Sequence, residues 1–325
     1  MPKYNRIAGV SFGDRHAGLK NGLIMPGTKL TYGVGENAEE VTFGEDVISD
    51  WSKWLWHDVW MPGIEKAIEW AGADPLIAAD SGDAVHGHRF VEHLYSASIN
   101  HQVDISIQSM IPLRKAPTLC HYLLAFGTGA HDYGHNSAAI SIAEKLAAWG
   151  WKAKADEHIS FILPDHFIFD LGHHGPNVSL KPHLRQNGAR VYVEDRIRAN
   201  TEYGERYPGL FQRGHVHNPI SVPVSLKLGL DYHKSHIIVT PPLCGPNGYA
   251  RQFTKSLDFI ECGMFFWELI DGKLGDVISF SVKKDSRTVY KMPNEGVVFF
   301  NNMVEDGGHK HGPTASKKKK GKKKK

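Results

Sequence analysis

Five apolar runs in this 325-residue chain are each followed within three residues by a glycine and then an aspartate or histidine, and no other feature limits the fold as tightly. In order the clusters are G-D-R-H (Gly13–His16), S-G-D-A-V-H-G (Ser81–Gly87), G-T-G-A-H-D (Gly127–Asp132), G-H-H-G (Gly172–Gly175) and G-H-V-H-N (Gly214–Asn218). A short apolar run closed by glycine reads as a buried strand. In open α/β sheets, sites form beyond the carboxyl ends of strands, and glycine lets backbone turn sharply or approach closely there. Asp14/His16 and His215/His217 are each spaced i, i+2, so within a strand each pair would aim at one side. Such mixed oxygen and nitrogen donors suit manganese, iron, zinc or nickel better than magnesium or calcium.

The rest of the pattern is alternating strands and helices, then mostly strands. Strands are expected at Ile7–Phe12, Pro75–Ala79, Tyr122–Phe126, Ile159–Leu163, Phe167–Leu171, His236–Thr240, Phe259–Ile270 and Val277–Val282. The pair around P-D-H should form a hairpin. A tryptophan-rich helix is expected over Asp46–Gly72, capped by Ser49 or Asp50 and kinked at Pro62, and a second from Ser137 to Trp149. The tryptophans read as core packing.

Histidine is the one unusual component: twenty of them outnumber fifteen phenylalanines. The net charge of +3 is set by the C-terminus, because removing the eight lysines at 317–320 and 322–325 gives 3 − 8 = −5. The folded domain is expected to span 1–302, followed by a disordered lysine-rich tail, 303–325, able to attract nucleic acid by neutralising phosphates. No run of about 18 apolar residues is present, so no membrane partner is expected. Cys120, Cys244 and Cys262 are odd in number and far apart, which reads as buried or free thiols in a reducing compartment, with the cytoplasm as the default.

Taken together, the clusters resemble the calcineurin-like metallophosphoesterase superfamily, whose order is D-x-H, G-D, G-N-H, H and G-H-x-H. The resemblance runs from Gly13 to Asn218 and implies a four-layer αββα sandwich with two central mixed β-sheets and two divalent metal ions. It puts Asp14, His16 and His217 at one metal, Asp83 between the two, and His215 with His173 or His174 at the other. His131 matches the family histidine that steadies the phosphate or assists the leaving group. The third cluster departs from the pattern, since G-T-G-A-H replaces G-N-H and the ligand asparagine is missing. Thr128 could stand near its position, or Asp132 or Asn136 could fold back. This variant is similar to phosphoesterase-like proteins of phage and prophage genomes.

The activity implied is hydrolysis of phosphodiesters by water activated between two metals, with DNA as the first candidate substrate. Alternatives are a small-molecule phosphodiesterase or phosphomonoesterase, and a degenerate metal- or nucleic-acid-binding module. Arg15, His86 and His88 are candidate substrate contacts. Arg213 is a weaker candidate, and Asp170 could orient a ligand. Asp80 yields the bridging role to Asp83, which carries the Gly-Asp context.

Overall fold

The computed structural model describes residues 5–33, 35–129, 131–132, 137–162, 167–172, 208–215, 217, 219–228, 231–245 and 259–285. In chain order the strands are β1 (Arg6–Phe12), β2 (Thr28–Tyr32), β3 (Glu39–Phe43), β4 (Leu76–Asp80), β5 (Leu119–Ala125), β6 (Ala153–Asp156), β7 (His158–Ile162), β8 (Ile168–Gly172), β9 (Leu210–Arg213), β10 (Ile220–Leu228), β11 (Asp231–Val239), β12 (Phe259–Ile270) and β13 (Lys273–Asp285). The α-helices are α1 (Asp50–Trp54), α2 (Met61–Ala71), α3 (Ile99–Ser109) and α4 (Ala138–Ala148). The expected domain end at 302, the lysine tail, and the candidate ligands His173, His174 and Asn136 lie outside the described residues.

The protein is a mixed α/β structure. One sheet runs β13-β12-β1-β4-β5-β6, a second β10-β11-β9-β8-β7, and β2 and β3 form a separate hairpin. Both large sheets are mixed. In the first, β1, β4, β5 and β6 are parallel, β12 is antiparallel to β1, and β13 is antiparallel to β12. In the second, β11, β9 and β8 are parallel between antiparallel edges β10 and β7.

β1, β4 and the second half of β5 read as nearly unbroken apolar runs because both their faces are buried. Ala8, Val10 and Phe12 of β1, Leu76 and Ala78 of β4, and Tyr122 and Leu124 of β5 pack against the helices. Their alternates Ile7, Ile77, Ala79, Leu123 and Ala125 pack against Phe169, Leu171, Leu210 and Ile238 of the second sheet. Helices, first sheet and second sheet thus form three layers among the described residues. A polar bridge pins the two sheets together: Ser11 Oγ donates to Gln212 Oε1 (2.5 Å), Gln212 Nε2 to the Ala79 carbonyl (2.9 Å), and Trp267 Nε1 to Ser11 Oγ (2.9 Å).

The tryptophan-rich helix forms as expected but is not simply kinked. Ser49 caps it by accepting from Ser52 N. A π-helical turn, Leu55–Trp60, then carries the chain into α2, where Pro62 sits in the first turn. There its missing N–H costs nothing, so the widened turn takes the place of a break.

Candidate metal centre

The loops that follow β1 and β4 are laid side by side by backbone hydrogen bonds: Asp14 N to Gly82 O (2.9 Å), His16 N to Asp83 O (2.9 Å) and Ala17 N to Ala84 O (3.0 Å). The loop after β9 joins from the second sheet. Its His215 N donates to both carboxylate oxygens of Asp14, at 3.1 and 3.0 Å. The segment after β11 is tied in by Leu243 N, which reaches the carbonyls of Gly13 (3.2 Å) and Asp14 (3.1 Å).

The backbone geometry here differs from the strand spacing expected of the i, i+2 pairs. Asp14 (φ 50°), His16 (φ 44°), Asp83 (φ 47°), His215 (φ 70°) and His217 (φ 53°) all adopt the left-handed region, accounting for five of the seven non-glycine residues described with positive φ. Each pair therefore lies beyond its strand, in a loop. Left-handed backbone costs a non-glycine residue about 1–3 kcal/mol and persists only where surroundings over-determine it. Its concentration at these five residues sets the candidate site apart from the rest of the described backbone.

The two carboxylates are held by donors of the chain itself. Asp83 Oδ1 accepts from Thr128 N (2.7 Å) and Thr128 Oγ1 (3.3 Å). Asp83 Oδ2 lies 4.0 Å from His16 Nε2 and 3.8 Å from His215 Nδ1, while His217 Nε2 is 3.4 Å from Asp14 Oδ1. The motif glycines make this approach possible. A Cβ on Gly127 would stand 2.2 Å from Asp83 Oδ1, and one on Gly214 would stand 2.9 Å from Asp14 Oδ2.

Behind the carboxylates, three imidazoles pack together. His16 Nδ1 and His86 Nδ1 are 3.1 Å apart, and His131 Nδ1 is 2.5 Å from the His86 carbonyl oxygen. A carbonyl only accepts, so His131 Nδ1 carries a proton and its Nε2 is left for other chemistry. Burial, followed by the neighbouring His131, drives the His16 pKa well below its ordinary value and the His86 pKa to about 4. Both rings are therefore neutral near pH 7. The pair then shares one proton between its Nδ1 atoms. With His16 as the donor, His16 Nε2 keeps a lone pair, and that nitrogen is buried with no hydrogen-bond partner.

Among the described residues, Asp14, His16 and Asp83 form one of three groups whose potential ligand atoms lie within 4.8 Å of one another; the others are His16–His217–Cys244 and His16–His86–His131. The orphaned His16 nitrogen and the carboxylate–imidazole chemistry fit a divalent transition metal. Cys244 is the member that sequence reasoning missed. It belongs to no cluster and sits in an apolar P-P-L-C-G stretch that offers no chemical signal. Its thiol pKa lies well above the ordinary value, chiefly through burial and then through the charges of Asp14, Cys262 and Asp83.

Other candidates lie elsewhere or act differently. Thr128 touches Asp83 through both its N–H and its hydroxyl. Asp132 does not fold back as a ligand: its carboxylate accepts from Ser137 Oγ (2.7 Å), Ala138 N (2.7 Å) and Gly127 N (3.3 Å), tying it to the start of α4. His86 is buried behind His16 instead of lining a cleft, while His88 is exposed on the following turn.

Arg15 is fully buried, with its guanidinium on Asp80 (2.8 Å), Ser106 O (3.1 Å) and Tyr122 Oη (3.2 Å), so it is placed away from any substrate. Arg213 likewise ion-pairs with Asp170, which His158 also contacts at 2.9 Å. Burial alone would raise the Asp170 pKa, but Arg213 and the His158 hydrogen bond together hold it far below the ordinary carboxylate value. Asp170 thus orients an arginine and a histidine of its own sheet.

No protein-family model matches the chain, and no curated protein sequence matches it. Among solved structures it is similar to one described as a novel archaeal phosphodiesterase, at 14% sequence identity and a TM-score of 0.37, over 84% of this chain and 99% of that one. A TM-score of that size is a loose overlap of architecture.

Proposed function

We propose that the chain is a metal-dependent phosphoester hydrolase that prefers phosphodiesters and has the four-layer αββα organisation its motifs resemble. The observation that carries this reading is the convergence of Asp14, His16, Asp83, His131 and the His215/His217 pair from four separate loops, with left-handed backbone at five of these six residues. Asp14, His16 and His217 would hold one divalent cation. Asp83 would face both cations, and His215, together with His173 or His174, would hold the second. When bound, the metals supply Lewis acidity to a phosphoryl oxygen and acidify water.

The chain's own groups have distinct tasks. Thr128 fixes the Asp83 carboxylate through its N–H and hydroxyl. The His86 carbonyl fixes the ring of His131, whose Nε2–H, in the imidazolium form, can donate to a leaving oxygen. No serine or cysteine nucleophile is needed for direct attack by water. DNA is the first substrate to test, with the lysine tail engaging phosphates. The acidic charge of −5 left when the eight terminal lysines are set aside (3 − 8) instead favours a small phosphodiester or monoester as the second reading.

The deciding experiment is hydrolysis of bis(p-nitrophenyl) phosphate beside p-nitrophenyl phosphate, with Mn²⁺, Ni²⁺, Zn²⁺ or EDTA. Diester turnover abolished by EDTA is expected. Turnover of the monoester alone would replace the diesterase assignment with a phosphatase, and EDTA-insensitive turnover would sink the metal mechanism.

A further inference from the structure

We propose that Cys244 is a metal-ligating thiolate, joining His16 and His217 in a nitrogen–nitrogen–sulfur set that biases the first metal position towards zinc or iron(II) and away from manganese. The inference rests on the metal-centre reading above and adds to it a ligand of a different chemical class.

Three observations support it. Ligand atoms of His16, His217 and Cys244 lie within 4.8 Å of one another, close enough to converge on one ion. His16 Nε2 is buried and has no hydrogen-bond partner, so with His16 Nδ1 as the donor to His86 its lone pair is free for a metal. The Cys244 backbone is also fixed in place: it bridges Gly22, while the flanking Leu243 N binds the carbonyls of Gly13 and Asp14 and Gly245 N binds Asn21 O (2.6 Å). Cys244 is 1% exposed, so the residue is enclosed by protein.

The neighbouring thiol does not compete for this role. Cys262 Sγ approaches the Cys244 carbonyl oxygen (3.7 Å), and both cysteines are free. On coordination the Cys244 thiol would release its proton to solvent, and Sγ would bind as an anion. With Asp14 Oδ1 3.4 Å from His217 Nε2, the same ion would meet two nitrogens, one sulfur and one oxygen. Thiolate is a soft ligand and shifts selectivity towards zinc and iron over magnesium and manganese.

The test is the near-ultraviolet absorption of the full chain titrated with Co²⁺. The wild type is expected to gain a thiolate-to-cobalt charge-transfer band that is lost in Cys244→Ser and kept in Cys262→Ser and Cys120→Ser. If Cys244→Ser does not fold, a wild-type band retained in both other variants assigns it by elimination among the three cysteines. The Cys244→Ser protein should also lose Zn²⁺ preference over Mn²⁺ in competition. Stoichiometric cobalt binding without the band, or a band that persists in folded Cys244→Ser, would overturn the thiolate assignment and leave the metal centre standing. Failure of the wild type to bind cobalt, zinc or manganese would overturn the metal centre itself, and this inference with it.

Discussion

Arg15 offers a direct contrast between a structural role and a substrate contact. Replacing it with methionine keeps most of the side-chain volume but removes the guanidinium from Asp80 (2.8 Å), Ser106 O (3.1 Å), Ser109 Oγ (3.4 Å) and Tyr122 Oη (3.2 Å). Asp80 would stay buried with two remaining donors, Gly82 N (3.0 Å) and Tyr122 Oη (3.1 Å). Breaking a buried ion pair from one side costs about 3–5 kcal/mol, and the two surviving donors place this case near the lower figure. Against a total stability of about 5–15 kcal/mol, a loss of about 3 is large. At roughly 2 °C per kcal/mol for a long domain, the melting temperature should fall by about 6 °C. Circular-dichroism melts in EDTA measure this apart from metal binding. Diester hydrolysis well below the transition should keep its KM, because the side chain lies away from the site. Arg15→Met/Asp80→Asn should recover at least half the loss, since the stranded charge is then gone. An unchanged melt, or a raised KM in a fully folded Arg15→Met protein, would refute the reasoning.

Three further outcomes are expected. His217→Ala should fold yet lose diester turnover, and unchanged activity in the folded variant would remove His217 from the mechanism. Gly127→Ala should abolish activity with a modest stability cost, because the added Cβ meets Asp83 Oδ1 at 2.2 Å; a crystal structure showing Asp83 undisturbed would contradict this. In metal-stripped protein the His86 pKa falls from 6.5 unfolded to about 4 folded. The unfolded chain therefore binds the extra proton between these values, so stability is full above pH 6.5 and declines as pH falls towards 4. At pH 5 the loss from this group is about 2 kcal/mol, with His16 adding in the same direction. A urea midpoint that stayed flat from pH 7 to pH 5 would rule that out.

Much of the architecture was legible because the buried strands are short, apolar and closed by glycine. The ends of β1, β4, β5 and β9 carry the candidate side chains at the positions their clusters suggested. What could not be read was side-chain direction past a strand end. The strand rule for i, i+2 pairs fails once Asp14, His16, His215 and His217 enter left-handed backbone. Arg15 illustrates the same point: adjacent to two site residues in sequence, it turns into the helix layer because Asp80 and Tyr122 offer partners there. Helix α3 was missed because its core face is interrupted by Gln102, Ser106 and Ser109, all buried. Strand β10 was masked by Pro223, which an edge strand tolerates. Cys244 lay 27 residues beyond His217 (244 − 217) with no motif to point to it.

The bridge between Ser11, Gln212 and Trp267 joins two sheets that each contribute side chains to the candidate centre. Asp14 and His217 are 203 positions apart (217 − 14). During synthesis, no metal could gather both until the second sheet had emerged and docked on the first. Contacts of such high sequence separation form late in folding. Metal capture would then come as the last step of maturation, and a chain interrupted before β9 would be left with half a cage.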